Sequence, residues 1–413
     1  MHPSAYEHRK SRIKLRLNHA DGTPLAKQAV QIKQQRHAFL FGCGGFDAVL
    51  YTGGNIDGTP LPADRVEPLR EALEKIFALC NFATLPFYLG RYEPTEGQPD
   101  ERRLKSGAQW FVERNITVKG HPLCWHTACA PWLMDYPNDV ILQKQLARID
   151  RDVKAYAGSI DMWDVINEVV IMPDFQGPDN AITRVCKDLG RVGIIKEVFA
   201  AARQASPNAT LLLNDYDAST RYEILIDGCL QSGIPIDAIG IQSHQHKGYW
   251  GRESLLEVLA CFTHFGLPVH FTENTILSGE LMPEDVGDFS DYKVDDWPTT
   301  PEGEERQARE MVEMYETLFA DPAVVAVTNW DPTDGRWLRA PSGFLRKDNS
   351  IKPVYEALMA KIKGEWWTCE TLVTDDCGEV DVCGFRGDYS LTVCDKTANF
   401  VLDGTKDDMA LVL

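Results

Sequence analysis

Short apolar segments that alternate with stretches of helical periodicity dominate this chain between residues 39 and 331. Each apolar segment has the length of a strand, and each intervening stretch is long enough for a helix. Eight such segments can be distinguished: 39–42, 82–87, 118–125, 162–168, 210–215, 238–244, 268–274 and 324–331. Strand–helix alternation repeated eight times predicts an α/β fold, a closed (β/α)8 TIM barrel, with a doubly wound open sheet as the alternative.

Polar residues at the ends of most of these segments favour the barrel over the open sheet. Asn167 and Glu168 end one segment, Asn214 and Asp215 end the next, and Glu273 lies near the end of another. In a closed parallel barrel the carboxyl ends of all strands line one active-site face. An open sheet would instead concentrate such residues near its switch point.

Both ends of the chain change to the period-two alternation that is typical of strands. Residues 13–35 alternate on either side of Asp21-Gly22, which predicts a β-hairpin. Residues 364–413 consist of short strand-like runs between Asp-Gly and Gly turns, and such a tail can share a sheet with the hairpin. We expect small β-rich flanks at both termini, over 1–37 and 364–413, around a catalytic barrel over 38–363.

The charge balance restricts the class of partner. Acidic residues outnumber basic ones by 61 to 42, which gives a net charge of −19. Nucleic acids and anionic membrane surfaces would repel such a chain, so we expect neither as a partner. No apolar run is long enough to cross a bilayer, and the N-terminal segment has no apolar signal core. A cytoplasmic location is therefore favoured, with secretion and removal of a signal as the alternative.

The cysteines point to a reduced protein without a metal site. There are 11, an odd number, and none has the CxxC spacing of a metal or redox motif. Several lie within or beside apolar runs, and most are interpreted as reduced core residues rather than metal ligands, which mildly favours a reducing compartment. Four cluster in the C-terminal tail, where they could pair as disulfides: Cys369, Cys377, Cys383 and Cys394. We expect no cofactor and no metal.

Two glutamates are the strongest candidates for catalysis. Glu168 ends the fourth predicted strand and Glu273 the seventh, so in a barrel they would face each other across the mouth. Glycosidic bond cleavage needs such a pair, with one carboxyl protonated and the other ionised. Flat apolar faces for a pyranose are offered by Trp125, Trp330 and Trp337, and hydrogen-bonding groups by His121, His126, Asn167, Gln242 and His244. The set predicts a carbohydrate cleft.

Other interpretations use the same residues. A glutamate after a strand is often a helix cap or an ion-pair partner. His121, His126 and His244, with Asp215, could instead bind a metal in a barrel hydrolase, with Glu168 as ligand or base. A non-catalytic sugar-binding protein would present the same cleft. Replacing either candidate glutamate separates that last case, because binding would survive and turnover would not.

Several segments together resemble the successive strand motifs of family 10 glycoside hydrolases, the retaining endo-β-1,4-xylanases. They are GHPLCWH (120–126), WDVINE (163–168), LLLNDYD (211–217), IGIQSHQH (239–246), HFTEN (270–274), and Trp330 and Trp337 followed by IKPVYEAL (351–358). The terminal β-rich segments also resemble flanks found on plant-type and some bacterial members.

This resemblance implies a function and a role for each candidate. The function is cleavage of β-1,4-linked xylan or xylo-oligosaccharides by double displacement, with Glu168 as acid/base and Glu273 as nucleophile. Around the sugar at the cleavage site it places His121, Trp125, Asn167, Gln242, His244, Trp330 and Trp337. Tyr216, within LLLNDYD, is a further candidate for substrate contact.

One departure from the family pattern affects the non-reducing side of the substrate. Where the family reads T-x-E-N-x-x-K-W before E-P-x-x-G, this chain reads TLPFYLGRYEPTEG over 84–97. It lacks the Glu, Asn and Lys that bind the xylose units there. Phe87 and Tyr88 offer stacking surface, and Arg91 is a fixed cation unless it pairs with Glu93. A decorated or short substrate is therefore an alternative specificity.

A second departure follows the candidate nucleophile. The family usually has Leu-Asp, and this Asp orients the histidine that corresponds to His244. Here the residues are Asn274 and Thr275. We therefore expect some other group to orient the His244 imidazole.

Overall fold

The computed structural model describes residues 3–55 and 58–413, which form two units. One unit comprises described residues up to 40 together with 319–322 and 355–413, and the other comprises 41–318 and 323–354. Residues 1 and 2 of the expected N-terminal flank, and residues 56 and 57 of the expected barrel, lie outside the described residues. The division of the sequence into three domains stays a prediction.

Sixteen strands are described. They are β1 (Lys10–Asn18), β2 (Ala29–His37), β3 (Leu40–Gly44), β4 (Phe82–Pro86), β5 (Thr117–His121), β6 (Met162–Asn167), β7 (Thr210–Asp215), β8 (Ala238–Ile241), β9 (His244–Gln245), β10 (Val269–Ile276), β11 (Val324–Asn329), β12 (Cys369–Val373), β13 (Glu379–Phe385), β14 (Gly387–Val393), β15 (Lys396–Leu402) and β16 (Asp408–Val412).

Ten α-helices are described. They are α1 (Phe46–Gly53), α2 (Ala63–Leu79), α3 (Leu89–Tyr92), α4 (Glu101–Val112), α5 (Asn138–Tyr156), α6 (Ala181–Ala205), α7 (Thr220–Gln231), α8 (Gly251–Thr263), α9 (Pro301–Ala320) and α10 (Pro353–Ala360). Helix α6 starts at the cap Asn180, whose side chain accepts from the Thr183 N–H, and is interrupted at Gly190, where φ is 72°.

The larger unit contains a closed parallel barrel, as the sequence predicts. Its strands follow in the order β3-β4-β5-β6-β7-β8-β10-β11, and β11 pairs with β3 to close the ring. All eight predicted strand segments are confirmed, and the open sheet is wrong. Most buried strand residues are apolar, and polar residues collect where strands end, as in other barrels of this type.

The smaller unit contains two sheets that share one apolar core. One sheet has the order β13-β1-β16, and the other β12-β2-β14-β15. Alternate residues of both point inward, for example Leu15 and Ile32, which are fully buried. Strands from both chain ends therefore do pair with each other, as the tail's pattern suggests.

The hairpin predicted over 13–35 is wrong in its pairing. Both predicted strands form, but β1 pairs with β13 and β16, while β2 pairs with β12 and β14. The turn after Asp21 closes only an isolated bridge between Asn18 and Pro24. Period-two alternation specifies a strand and its buried face, but both sheets of a sandwich satisfy it equally well.

The cysteines are all free thiols in this structure. Cys369, Cys377, Cys383 and Cys394 are exposed, and none of them is bonded to another. Most of the others are buried in the barrel unit, as their apolar sequence context predicts. Among the described residues, no helix has the length and apolar character needed to span a membrane.

Candidate active site

The backbone presents Glu168 in an unusual conformation at the end of β6. Its φ is 58°, in the left-handed region that non-glycine residues rarely adopt. Two hydrogen bonds hold this turn: the Glu168 N–H donates to the Asn214 carbonyl at 2.9 Å, and the Val170 N–H donates to Asp215 at 3.0 Å. A strained conformation fixed by its surroundings is a common feature of functional sites.

An amide network links the Glu168 side of the mouth to the Glu273 side. The Asn214 amide donates to Asn167 Oδ1 at 2.7 Å and to Glu273 Oε1 at 2.9 Å. Thr272 donates to Asn214 Oδ1 at 2.7 Å, which fixes the orientation of that amide. Gly240 makes room for it, because a Cβ there would lie 2.5 Å from Asn214 Oδ1.

Neutral donors surround the Glu168 carboxyl. Trp125 Nε1 donates to Oε2 at 2.9 Å, and the Asn167 and Gln242 amides donate to Oε1 at 3.1 Å each. Burial, followed by the nearby charge of Glu273, raises the pKa of Glu168 to about 8, although the bonds from Gln242 and Trp125 oppose the shift. Near neutral pH this carboxyl therefore holds a proton.

A chain of polar groups lies behind the Glu273 carboxyl. His121 Nε2 is 3.9 Å from Glu273 Oε1, and His121 Nδ1 is 2.7 Å from Asp164 Oδ2, which also contacts Lys119 Nζ at 2.6 Å. Burial opposes ionisation of Glu273, but His121, His244 and Lys119 together outweigh it and hold the pKa of Glu273 below its usual value. Glu273 is therefore ionised where Glu168 is protonated.

His244 contacts the other oxygen of Glu273. Its Nε2 lies 3.2 Å from Glu273 Oε2, and its Nδ1 lies 3.4 Å from the Thr275 hydroxyl. The sequence predicts that some group other than an aspartate orients this imidazole, and the structure places Thr275 beside it. The Trp337 ring lies over His244 with the ring centroids 4.4 Å apart.

Aromatic rings form the walls of the site. Trp330 packs edge-on against His121, and Tyr88 contacts both His121 and Trp125, with centroids 5.3 to 5.7 Å apart. Burial, and then the charge of Glu273, raises the pKa of Tyr88 well above its usual value. Such rings suit the apolar face of a sugar and keep charged groups poorly hydrated.

A buried carboxyl positions the segment that carries Trp337. Asp331 accepts from the Ser342 hydroxyl at 2.7 Å and from the Trp337 N–H at 3.4 Å. Burial raises the pKa of Asp331 to about 7. The same segment is tied to α1 by Arg336, which donates to Asp47 at 2.6 Å.

The structure brings together nearly all of the predicted site residues. His121, Trp125, Asn167, Gln242, His244, Trp330 and Trp337 all contact Glu168, Glu273 or a ring beside them. Tyr216 is 47% exposed, and burial, followed by the charge of Glu168, raises its pKa to about 12.

Three other residues have surroundings that the sequence does not reveal. His126 is buried against the Phe175 ring at 4.5 Å, and burial lowers its pKa to about 4. Within the part of the chain that the structure describes, it forms no hydrogen bond to either carboxyl. Phe87 lies in the core against Trp163, which excludes it as a stacking surface. Arg91 is exposed beside Tyr88.

The sequence interpretation overlooked the buried pair Lys119 and Asp164. Both side chains are at most 1% exposed, within strands that otherwise read as apolar. That contrast is the signal that could have identified them, because charged residues are almost never fully buried without a partner. Within residues 3–55 and 58–413 no group of three or more histidine, cysteine or carboxylate side chains is arranged to hold a metal ion.

Chemically, the site offers one protonated and one ionised carboxyl at the same barrel mouth. A protonated Glu168 can donate to a leaving oxygen, and an ionised Glu273 can attack a carbon. The environments push the two pKa values in opposite directions, which is how acid and nucleophile roles are assigned in sites of this kind.

The chain is similar in sequence to known xylanases. The chain is 28% identical to endo-1,4-beta-xylanase C of Paenibacillus barcinonensis over 373 residues, covering 80% of this chain and 33% of the relative. It is 28% identical to an endo-1,4-beta-xylanase of Geobacillus stearothermophilus, covering 58% of this chain and 75% of the relative. The chain thus spans a third of the length of the Paenibacillus protein.

Solved structures show the same fold. Xylanase 10B from Thermotoga petrophila, solved in complex with xylobiose, superposes with a TM-score of 0.63 at 19% identity, covering 79% of this chain and 95% of that one. Native xylanase 10B from Thermotoga maritima gives 0.62 at 20% identity, covering 79% and 96%. The profile of glycosyl hydrolase family 10 matches residues 89–361, well over half of the sequence. The chain belongs to glycosyl hydrolase family 10.

Proposed function

We propose that this chain hydrolyses β-1,4-xylosidic bonds, in xylan or xylo-oligosaccharides, with retention of configuration at the anomeric carbon. The observation that carries the proposal is the opposite perturbation of the two carboxyls, with the pKa of Glu168 raised to about 8 and that of Glu273 lowered. The names of the relatives, which are xylanases, support the choice of substrate.

In the first step the ionised Glu273 attacks the anomeric carbon, and Glu168 donates its proton to the departing oxygen. The bond to the leaving sugar breaks as the bond to the Glu273 carboxyl oxygen forms. Asn214 and His244, which both contact Glu273, fix the direction of attack. The product of this step is a glycosyl ester and a free chain end.

The second step reverses the role of Glu168. Once Glu273 is an ester it no longer carries a charge, so the repulsion that helped to raise the pKa of Glu168 disappears. The carboxylate left at Glu168 then takes a proton from water, and that water displaces Glu273 from the sugar. The same residue thus serves as acid and base within one cycle.

The test follows the first product of xylo-oligosaccharide cleavage by proton NMR. Retention gives the β anomer first; an α anomer first would contradict the double displacement. Azide distinguishes the two roles on an activated aryl β-xyloside. Glu168→Ala is expected to yield the β-xylosyl azide, and Glu273→Ala the α-xylosyl azide. If the wild type binds xylo-oligosaccharides but cleaves none, the protein is a sugar-binding protein instead.

A decorated glycone is the second candidate, and Arg91 favours it. Glu93, its neighbour in the sequence, pairs with Arg151 at 2.7 Å. Among the described residues Arg91 forms no ion pair, so its guanidinium is available beside Tyr88. A charge-assisted hydrogen bond to a uronic acid contributes about 1.5–3 kcal/mol, or roughly tenfold and more in kcat/KM.

The experiment compares linear xylo-oligosaccharides with uronic-acid-substituted ones. Arg91→Ala is expected to reduce kcat/KM about tenfold or more on the substituted chains and to leave the linear ones unchanged. Arg91→Lys is the matched control, because it keeps the charge but loses the planar fork, so it should recover part of the difference. Equal rates of wild type and Arg91→Ala on both substrates would leave plain xylan as the substrate.

A further inference from the structure

The Thr275 hydroxyl occupies a position between two imidazole rings. Its Oγ1 lies 3.4 Å from His244 Nδ1 and 3.2 Å from His246 Nδ1. The strand register explains the first contact, because Thr275 and His244 are direct partners in the short parallel ladder of β9 and β10. Side chains of directly paired residues point to the same face of a sheet, so the two groups lie side by side.

The Thr275 hydroxyl cannot form the same kind of hydrogen bond with both rings. It already accepts from the Gln245 N–H at 3.2 Å. A hydroxyl has one proton to donate and two lone pairs to accept with. After that first bond, it has one proton and one lone pair left. It therefore donates to one imidazole nitrogen and accepts from the other.

The surroundings determine which ring accepts. His244 Nε2 lies 3.2 Å from the ionised Glu273 and so carries a hydrogen. In a neutral imidazole the other nitrogen, Nδ1, then has a bare lone pair that can accept from Thr275. His246 must donate from its own Nδ1, which leaves its Nε2 without a hydrogen. That Nε2 is buried with no hydrogen-bond partner among the described residues, so no N–H is left unpaired.

The state of His246 agrees with this arrangement. Burial lowers the pKa of His246 to about 3, so this ring is neutral at working pH. Among the described residues, the titratable groups in contact with His244 are Glu273 and His246. The other rings against it, Trp330 and Trp337, carry no charge.

We propose that Thr275 is a positioning residue that holds His244 as the neutral tautomer with its hydrogen on Nε2. The chain of donors runs from His246 to Thr275, from Thr275 to His244, and from His244 to Glu273. The consequence for catalysis rests on the proposed function, in which Glu273 is the nucleophile. A neutral donor orients the carboxylate without stabilising its charge as strongly as an imidazolium would, so less stabilisation is lost when the ester forms.

The first test needs no turnover and therefore stands apart from the proposed function. The full-length wild type is labelled with ¹⁵N-histidine, and the ring nitrogens of His244 are assigned by comparison with His244→Gln. The expected signature near neutral pH is an unprotonated Nδ1 and a protonated Nε2. An imidazolium, or a hydrogen on Nδ1, would overturn the proposal even if the protein is a xylanase.

The second test uses pH profiles of kcat/KM. Thr275→Val removes the hydroxyl and is expected to lower kcat/KM about tenfold, whereas Thr275→Ser should recover it to within about threefold. Thr275→Asp adds a carboxylate that favours an imidazolium at His244. The positive charge of that imidazolium lowers the pKa of Glu273, so the acid limb of the kcat/KM profile should move to lower pH, by about one unit.

Thr328 supplies the matched control. It is a buried threonine on β11 whose hydroxyl has no hydrogen-bond partner among the described residues. Thr328→Val therefore makes the same chemical change without removing a hydrogen bond, and its pH profile should match that of the wild type. If Thr275→Val behaves like Thr328→Val, and Thr275→Asp leaves the acid limb in place, Thr275 does not position His244.

Discussion

The two sides of the barrel mouth hold the same functional group in opposite states. Around Glu168 the donors are uncharged, namely an indole and two amides. Around Glu273 they include imidazoles, one of which is backed by the buried pair of Asp164 and Lys119. Both carboxyls are poorly hydrated, so burial alone would raise both pKa values. His121, the hydrogen bond from His244, and Lys119 make the difference.

This contrast indicates how one fold obtains an acid and a nucleophile from two glutamates. Neutral hydrogen bonds orient a carboxyl but only partly offset the cost of desolvation, whereas a charge a few ångströms away can reverse it. The charged side is also the more costly to build, because it requires a lysine and an aspartate inside a barrel. Substitutions around the two carboxyls can remove the difference between their pKa values or make it measurable.

The largest expected effect is the loss of activity when either glutamate is replaced, and its dependence on the leaving group of the substrate distinguishes the two residues. Glu273→Gln should lower kcat/KM by roughly 10⁴-fold or more on both xylo-oligosaccharides and an activated aryl xyloside, because no nucleophile remains. Glu168→Gln should cost about 10²–10⁴-fold on the oligosaccharide but far less on the aryl xyloside, whose leaving group needs no proton. Equal losses of Glu168→Gln on both substrates would contradict its role as the acid.

Next in size is the loss of the buried counter-ion. Asp164→Asn leaves Lys119 charged and unpaired in the barrel interior, so the free energy of unfolding in urea should fall by about 3–5 kcal/mol. The surface pair of Asp174 and Arg191 provides the comparison. Asp174→Asn should change stability by no more than about 1 kcal/mol. Similar costs for the two variants would show that the interior pair is not charged.

A smaller effect concerns stability and pH. Since the folded-state pKa of Glu168 is raised to about 8, the folded protein keeps a proton that the unfolded chain releases at lower pH, and stability falls as pH rises towards 8. Glu168→Gln should remove this loss of stability. Because each unit of pKa shift corresponds to about 1.4 kcal/mol, the variant should be more stable than the wild type at pH 8 by a few kcal/mol. Little difference is expected near pH 4.

The ionisation of Glu273 makes stability depend on pH in the opposite direction. Its folded-state pKa is lowered, so ionisation contributes stability above the unfolded pKa that is lost as pH falls through the folded one. Glu273→Gln should therefore gain nothing at pH 8 and lose stability there. Urea unfolding of Glu168→Gln and Glu273→Gln at pH 4 and pH 8 measures these changes. If both variants change stability in the same direction, the two carboxyls do not have opposite pKa shifts.

The smallest expected effect is a shift in the basic limb of the pH profile. Gln242 donates to Glu168 and favours its ionised form. Gln242→Leu should therefore raise the pKa of Glu168 and move the basic limb of kcat/KM to higher pH, by about half a unit. Trp125→Phe removes another donor and should shift it in the same direction. A shift to lower pH in either variant would mean that these bonds favour the protonated form.

The barrel and its catalytic pair could be predicted from the sequence because their signals are local. Each strand is a short apolar run, and each candidate glutamate follows such a run directly. Once eight strands close into a ring, residues at their carboxyl ends must meet at one face. The opposition of Glu168 and Glu273 therefore needs no knowledge of long-range contacts.

Side-chain direction and sheet partners could not be predicted in the same way. Phe87 and Tyr88 are adjacent aromatic residues, yet one is in the core and the other faces the site, because the two point in different directions just after β4. His126 and His121 differ similarly. The partners of β1 lie more than 360 residues away, and alternation carries no information about which distant strand a segment joins.

That distant pairing has a consequence for the growing chain. Strand β1 lies between β13 and β16, so both of its edges are completed by strands from the last part of the sequence. At a synthesis rate of about 5–20 residues per second, β1 would wait roughly 20–80 s for those partners. During that interval its apolar face and unpaired backbone are available to other chains. We therefore expect folding yield during synthesis to depend on how well this early segment is shielded.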